Sequence, residues 1–190
     1  MRNTGKKHLI AVWMFFLTLV LISLSTGAAE EYVMETAKGR VQSGVARKGI
    51  KPGNESDAVQ ILFVGNSLTG RNDMPAMFQS LAAAADYKVY VEWIWEGGCT
   101  LSRYASRHTA EGAAFYRKLH SRNWEYVVLQ DQTRKPLLAP SALKKSIAAL
   151  SKSIQKIGAE PVITMTWAHK EGAAFYRSSY ARRKKIDPKK

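Results

Sequence analysis

The chain has 190 residues, of which 46% are hydrophobic and 23% are charged, a composition typical of one globular domain with its own core. The single cysteine, Cys99, excludes an internal disulfide framework and a zinc site built from several cysteines. The formal charge of +14 is concentrated at the ends: three positive charges precede the first apolar run, a net six lie in 168–190, and five remain elsewhere. Because no nucleic-acid-binding motif accompanies these charges, we expect solvated basic ends and no nucleic-acid partner.

Residues 1–29 have the pattern of a secretory signal peptide. Basic residues precede an apolar stretch from Leu9 to Leu24, and small residues follow at 25–29. This stretch is shorter than the ~20 residues that a membrane-spanning helix needs. We therefore expect cleavage after Ala29, a secreted or periplasmic location, and no stable membrane anchor on the mature chain; an uncleaved anchor is the alternative. Segment 30–57 contains glycines and charges without sustained periodicity, and we expect a flexible linker there.

Short apolar segments alternate with helical patterns over 58–170, which predicts one α/β domain with a parallel sheet. The predicted strands are 59–64, 88–95, 126–130 and 161–167, and the predicted helices are 75–85, 101–120 and 141–157. This order indicates a flavodoxin-like three-layer sandwich, in which functional residues lie at the carboxyl ends of the strands. Residues 171–190 are expected to form a basic tail.

The first predicted strand runs into the loop Gly65–Asn72, whose sequence is GNSLTGRN. A phosphate-binding Walker A loop requires Lys and then Ser or Thr where Arg71 and Asn72 stand, and a dinucleotide-binding loop requires a glycine two residues after Gly65. The loop meets neither requirement, and we expect neither a cofactor nor a metal. The remaining chemical interpretation makes Ser67 a nucleophile on a tight turn, where backbone amides can stabilise an oxyanion. A serine that only makes a turn hydrogen bond is the alternative.

Three motifs carry a resemblance to a known family: ILFVGNSLT at 61–69, GGCTL at 97–101 and YVVLQDQ at 126–132. Together they resemble the SGNH (GDSL-like) hydrolase superfamily, and they are similar to an exported bacterial branch with GNS in place of GDS. The resemblance implies a serine ester hydrolase of the SGNH fold that acts on acyl or acetyl esters of a small molecule or carbohydrate. It also implies that Ser67 is the nucleophile and that Ser67, Gly98 and Gln132 form the oxyanion hole. Gln132 stands where the superfamily usually has Asn.

The SGNH pattern also includes an Asp-x-x-His block after a fifth strand, and this sequence contains no such block. His169, just past the fourth predicted strand, lies on the expected edge of the sheet and is the candidate base; a surface histidine is the alternative. We therefore expect a fold that lacks the last strand and helix, and an esterase that is weakly active as given. The alternative function is a non-catalytic carbohydrate- or lipid-binding module on the same fold.

The heptapeptide EGAAFYR occurs twice, at 111–117 and at 171–177. The match does not extend in either direction, so it is not a structural repeat of the usual ~20–50 residues. Two similar amphipathic helical segments would explain it, and so would a truncated or rearranged end of the chain.

Overall fold

The computed structural model describes residues 33–35, 41–46, 57–167, 170–178 and 182. The predicted signal peptide, much of the predicted linker and His169 lie outside the described residues. Within the described residues, no helix is both long enough and apolar enough to cross a membrane.

The elements of these residues alternate between strands and helices over most of the chain. In chain order they are β1 (Val33–Glu35), β2 (Gln42–Ala46), β3 (Val59–Gly65), α1 (Ser67–Gly70), α2 (Met74–Ala84), β4 (Val89–Trp95), α3 (Leu101–Ala105), α4 (Ala110–Leu119), β5 (Tyr126–Gln130), α5 (Lys135–Leu138), α6 (Pro140–Lys156), β6 (Glu160–Thr164) and α7 (Ala174–Arg177). A short 3-10 turn, Arg71–Asp73, joins α1 to α2.

One sheet holds the strands in the order β1-β2-β4-β3-β5-β6. Strands β4, β3, β5 and β6 run parallel, and Phe63 of β3 lies opposite Trp93 on one side and Val128 on the other. This parallel part has the flavodoxin-like order, with the first strand of the alternating pattern between the second and the third. The predicted α/β class is confirmed. Because β3, β4 and β5 are adjacent and parallel, their carboxyl ends lie side by side at the same end of the sheet.

The sheet continues into the segment that was predicted to be a flexible linker. Strand β2 pairs antiparallel with β4, from Gln42 opposite Trp95 to Ala46 opposite Val91, and β1 pairs with β2. A Cβ added at Gly44 would lie 2.2 Å from Cζ2 of Trp93, so the glycine is what lets the indole approach the strand. The linker prediction is therefore wrong at β1 and β2, because the pairing of β2 with β4 and of β1 with β2 overrides the local effect of the glycines in this segment.

The helix predicted over 101–120 is two helices. The chain leaves α3 after Ala105 and enters α4 at Ala110, where the Thr109 hydroxyl accepts a hydrogen bond from the Gly112 backbone N–H at 3.0 Å. Such a side-chain cap satisfies one of the unpaired N–H groups at the start of a helix. Strand β6 also ends earlier than predicted, at Thr164, and Trp167 beyond it is 71% exposed.

Helices cover both faces of the sheet. On one face, Leu62 and Val64 pack in a buried cluster with residues of α3, α4 and α6, among them Phe115 and Leu150. On the other face, the rings of Phe63 and Phe78 of α2 meet edge to face with centroids 5.5 Å apart. Alternate residues of β3 therefore enter two different cores, which is the arrangement expected for the central strand of a three-layer sandwich.

Candidate active site

Ser67 lies on a tight turn at the carboxyl end of the central strand β3. Asn66 is the N-cap of α1, and its side-chain oxygen accepts a hydrogen bond from the Leu68 N–H at 3.0 Å. The Asn66 carbonyl oxygen accepts hydrogen bonds from Thr69 N at 2.9 Å and Gly70 N at 3.1 Å. Ser67 is thus the first residue of a short helix and is half-buried. This is the strand-end position that the sequence predicted.

The GGCTL loop follows β4 and contacts the Ser67 turn. Gly98 has a φ of 67°, in the left-handed region that glycine adopts without strain. The Asn66 side-chain N–H donates a hydrogen bond to the Cys99 carbonyl oxygen at 3.2 Å. Burial raises the pKa of the Cys99 thiol to about 11, which keeps the sulfur protonated at neutral pH. Ser67 therefore has no competing thiolate in this loop.

The end of β5 supplies the third loop, Gln130–Gln132. The Gln132 side-chain amide donates a hydrogen bond to the Gly98 carbonyl oxygen, which joins two residues that the family resemblance implies for the oxyanion hole. The Asp131 carboxylate accepts a hydrogen bond from Gln132 N at 2.7 Å. Burial nevertheless raises the pKa of the Asp131 carboxyl above its ordinary value.

Hydrogen bonds therefore bring the three motif loops together. Asn66 contacts the second loop through Cys99 and the third loop through Gln130, and Gln132 contacts Gly98. The Gln132 amide nitrogen carries two hydrogens, of which Gly98 uses one. The oxyanion roles of Ser67, Gly98 and Gln132 stay predictions, because the structure places these residues without a substrate.

Two residues that hold the Ser67 turn were missed by the sequence analysis. Tyr104 is fully buried in α3, and its hydroxyl donates a hydrogen bond to the Gly65 carbonyl oxygen at 2.7 Å. Burial raises the pKa of Tyr104 far above its usual range, so the hydroxyl stays a donor. Gln130 is a buried amide at the end of β5. A polar residue at the end of an apolar strand was the available signal for Gln130, whereas nothing local distinguishes Tyr104.

No histidine among the described residues is placed as a base for Ser67. His108 and His120 are exposed, and no hydrogen bond within the described part of the chain joins either of them to Ser67. His169, the candidate base, lies outside the described residues. In the part of the chain that the structure describes, no group of three or more His, Cys, Asp or Glu could hold a metal ion.

Comparison with known proteins supports this fold. No protein-family model matches the sequence, and no curated protein matches it. Among solved structures, the chain is similar to a protein from Slackia heliotrinireducens described as "a putative SGNH hydrolase", with 35% sequence identity and a TM-score of 0.56. A DUF4886 family protein from Bacteroides uniformis ATCC 8492 also matches, with 20% identity, a TM-score of 0.49, and coverage of 67% of this chain and 58% of that one.

The Slackia match covers 63% of this chain and 62% of that protein. This likeness, together with the strand order of the chain, defines an SGNH-hydrolase-like α/β sandwich. The likeness supports the superfamily resemblance of the three motif loops, all of which lie at the ends of parallel strands in this structure.

Proposed function

We propose that this chain is an exported SGNH-type ester hydrolase with Ser67 as the nucleophile, acting on acyl or acetyl esters of a small molecule or carbohydrate. One observation carries the proposal: hydrogen bonds of Asn66 and Gln132 join the GNS loop, which contains Ser67, to the GGC and QDQ loops. These hydrogen bonds join Gly98 to Gln132 and both neighbouring loops to Asn66, the residue before Ser67. Stabilisation of an oxyanion requires donors from several segments to be gathered at one point in this way.

Activity is expected to be weak in the chain as given. A serine hydroxyl needs a neighbouring base to become a good nucleophile, and neither histidine of the described residues makes a hydrogen bond to Ser67. In a serine protease, loss of the base costs on the order of 10⁶ in turnover, and oxyanion donors with substrate binding retain about 10³ to 10⁴ over water. We therefore expect trace hydrolysis of short-chain nitrophenyl esters.

Fluorophosphonate labelling, followed by intact mass and peptide mapping, tests the nucleophile directly. Slow labelling is expected on Ser67 and is expected to disappear in Ser67→Ala. Ser102→Ala is the matched control, because Ser102 is an exposed serine of the neighbouring helix α3 and is expected to leave labelling unchanged. Labelling that persists in Ser67→Ala would overturn the proposal. Turnover of ~10 s⁻¹ or more, abolished by both Ser67→Ala and His169→Ala, would instead identify His169 as a working base.

The second candidate function is a non-catalytic carbohydrate- or lipid-binding module on the same fold. One observation favours it: in the described part of the chain, neither His108 nor His120 makes a hydrogen bond to Ser67. Binding of an ester without any Ser67-dependent labelling or hydrolysis, measured by calorimetry on the same protein, would support the binding module.

A further inference from the structure

Gln130 is a buried amide whose hydrogen bonds all serve the candidate active site. Its side chain is at the end of β5, and the residue is 4% exposed. The Oε1 atom accepts hydrogen bonds from Asn66 N at 3.2 Å and from the Thr69 hydroxyl at 2.8 Å, while Nε2 donates to the Asp131 carbonyl oxygen. A buried amide is costly unless it is satisfied, and here both acceptor sites of the oxygen are used.

The contacts allow one orientation of this amide. If the amide were flipped, Nε2 would face the Asn66 N–H, and Oε1 would face the Asp131 carbonyl oxygen. The first arrangement sets donor against donor and the second sets acceptor against acceptor, so the hydrogen bonds to Asn66 and Asp131 would both be lost, and only the Thr69 hydroxyl could bond to either orientation. The two residues before Gln130, Val128 and Leu129, are buried and apolar. The groups that bond to the Gln130 amide are the Thr69 hydroxyl, the Asn66 backbone N–H and the Asp131 backbone carbonyl.

The sheet leaves room for the amide only because residue 65 is glycine. A Cβ added at Gly65 would lie 2.7 Å from Gln130 Oε1 and 2.1 Å from the Thr69 hydroxyl. The amide therefore contacts the turn on both sides of Ser67, at the N-cap residue before it and at Thr69 two residues after it. The Asn66 carbonyl oxygen lies in the same peptide plane as the Ser67 N–H and accepts hydrogen bonds from Thr69 N and Gly70 N, so the turn that Gln130 holds at Asn66 and Thr69 also fixes the direction of the Ser67 N–H.

We propose that Gln130 is the positioning residue of the Ser67 turn: its single amide sets the turn against the third loop and so directs the Ser67 hydroxyl and N–H toward a substrate. The consequence for catalysis rests on the proposed function, whereas the geometric role does not. The two parts are therefore tested with separate measurements.

Backbone hydrogen exchange by NMR tests the geometric role. Gln130→Met removes the amide at nearly constant volume, and Gln60→Met is the matched control, because Gln60 is a buried amide of β3 near the opposite end of the sheet. We expect exchange of the Asn66 N–H to be about tenfold faster in Gln130→Met than in Gln60→Met, since one hydrogen bond is lost. Equal exchange rates of the Asn66 N–H in the two variants would overturn the proposal, whether or not the protein is an ester hydrolase.

Gln130→Glu provides a conservative rescue and keeps the test open if Gln130→Met does not fold. A protonated Glu has the same pattern of donor and acceptor as Gln, whereas an ionised Glu sets an oxygen against the Asp131 carbonyl. Each measurement is compared with wild type at the same pH, because this comparison removes the effect of Asp131 titration. At about pH 5, the exchange protection of the Asn66 N–H and the labelling rate of Ser67 are expected to match those of wild type. Both are expected to fall about tenfold by about pH 8.

The outcomes separate the two proposals. Absence of labelling in wild type with the expected exchange pattern would refute the esterase and leave the geometric role standing. Wild-type labelling rates in Gln130→Met, or in Gln130→Glu at both pH values, would refute the positioning role even if Ser67 is a nucleophile.

Discussion

Gly65, the last residue of β3, leaves room for the Thr69 and Gln130 side chains beside the Ser67 turn. Gly65→Ala would press a methyl group against the Thr69 hydroxyl and the Gln130 amide, at 2.1 Å and 2.7 Å. Overpacking of this kind costs about 1–3 kcal/mol. We expect Gly65→Ala to lower the free energy of unfolding by that amount in urea denaturation.

Gly97→Ala is the control for this substitution, because no atom lies within 4 Å of a Cβ added there. It is expected to change the free energy of unfolding by less than about 0.5 kcal/mol, as for an ordinary surface substitution. Equal effects of the two substitutions would contradict the close packing of the turn.

Asp131 is expected to make the stability of the protein depend on pH. Burial raises the pKa of this carboxyl above its ordinary value of 3.8, so the folded state binds the proton more tightly than the unfolded state does. The stability that Asp131 contributes is thus fully present below 3.8 and is lost as the pH rises through the raised pKa. Asp131→Asn, which does not titrate, should remove this loss.

Thermal melts of wild type and Asp131→Asn between about pH 3 and pH 7 measure this effect. The advantage of wild type over the variant is expected to shrink as the pH rises. Asp73→Asn changes an exposed carboxylate and serves as the control. If the wild-type advantage grew with pH, the hydrogen bonds to Asp131 would outweigh its burial.

At the scale of elements, the two EGAAFYR segments show how much burial depends on surroundings. In the first copy, Phe115 is fully buried in α4, and its ring lies 6.5 Å from that of Tyr104. In the second copy, Gly172 has a φ of 77°, only Ala174–Arg177 are helical, and Phe175 is half-buried with the Arg134 guanidinium 5.4 Å from its ring centre. The two segments have the same sequence but different conformations.

This difference predicts unequal effects of the same substitution. Phe115→Ala should destabilise the protein by about 3–5 kcal/mol, because it opens a cavity in the core. Phe175→Ala should cost less than about 1 kcal/mol, because its side chain is partly solvated already. Urea denaturation of the two variants measures both, and similar losses would contradict the different environments of the two copies.

At the scale of the whole molecule, β6 forms one edge of the sheet. Among the described strands it pairs with β5 alone. Apolar side chains are exposed in β6 and just beyond it, with Ile163 42%, Met165 82% and Trp167 71% exposed. An unpaired edge with exposed apolar side chains favours pairing with another chain.

We therefore expect the protein to self-associate with rising concentration in analytical ultracentrifugation. Ile163→Lys should shift it toward the monomer, because a charge on an edge strand opposes pairing. Leu81→Lys, on an exposed apolar position of α2, is the control and should leave association unchanged. A wild-type protein that is monomeric at all concentrations and unfolds cooperatively would refute this expectation.

The α/β class, the four parallel strands, the two longer helices of 75–85 and 141–157, and the place of Ser67 after a strand could all be predicted from the sequence. These features depend on local patterns, namely apolar runs, helical periodicity and turn residues, which neighbouring residues encode. The sequence also placed the three motif loops next to one another, because the carboxyl ends of parallel strands lie at the same end of the sheet.

Only the tertiary structure decided which groups meet. The pairing of β2 with β4 depends on a free strand edge, and the hydrogen bond from Asn66 to Gln130 joins residues 64 positions apart. Glu92 of β4 is a buried carboxylate, with the Tyr90 hydroxyl at 2.8 Å and the cations of Lys118 and Arg122 beside it. Such contacts depend on how distant segments pack, because the free energy of a buried polar group is set by the partners that the fold brings to it.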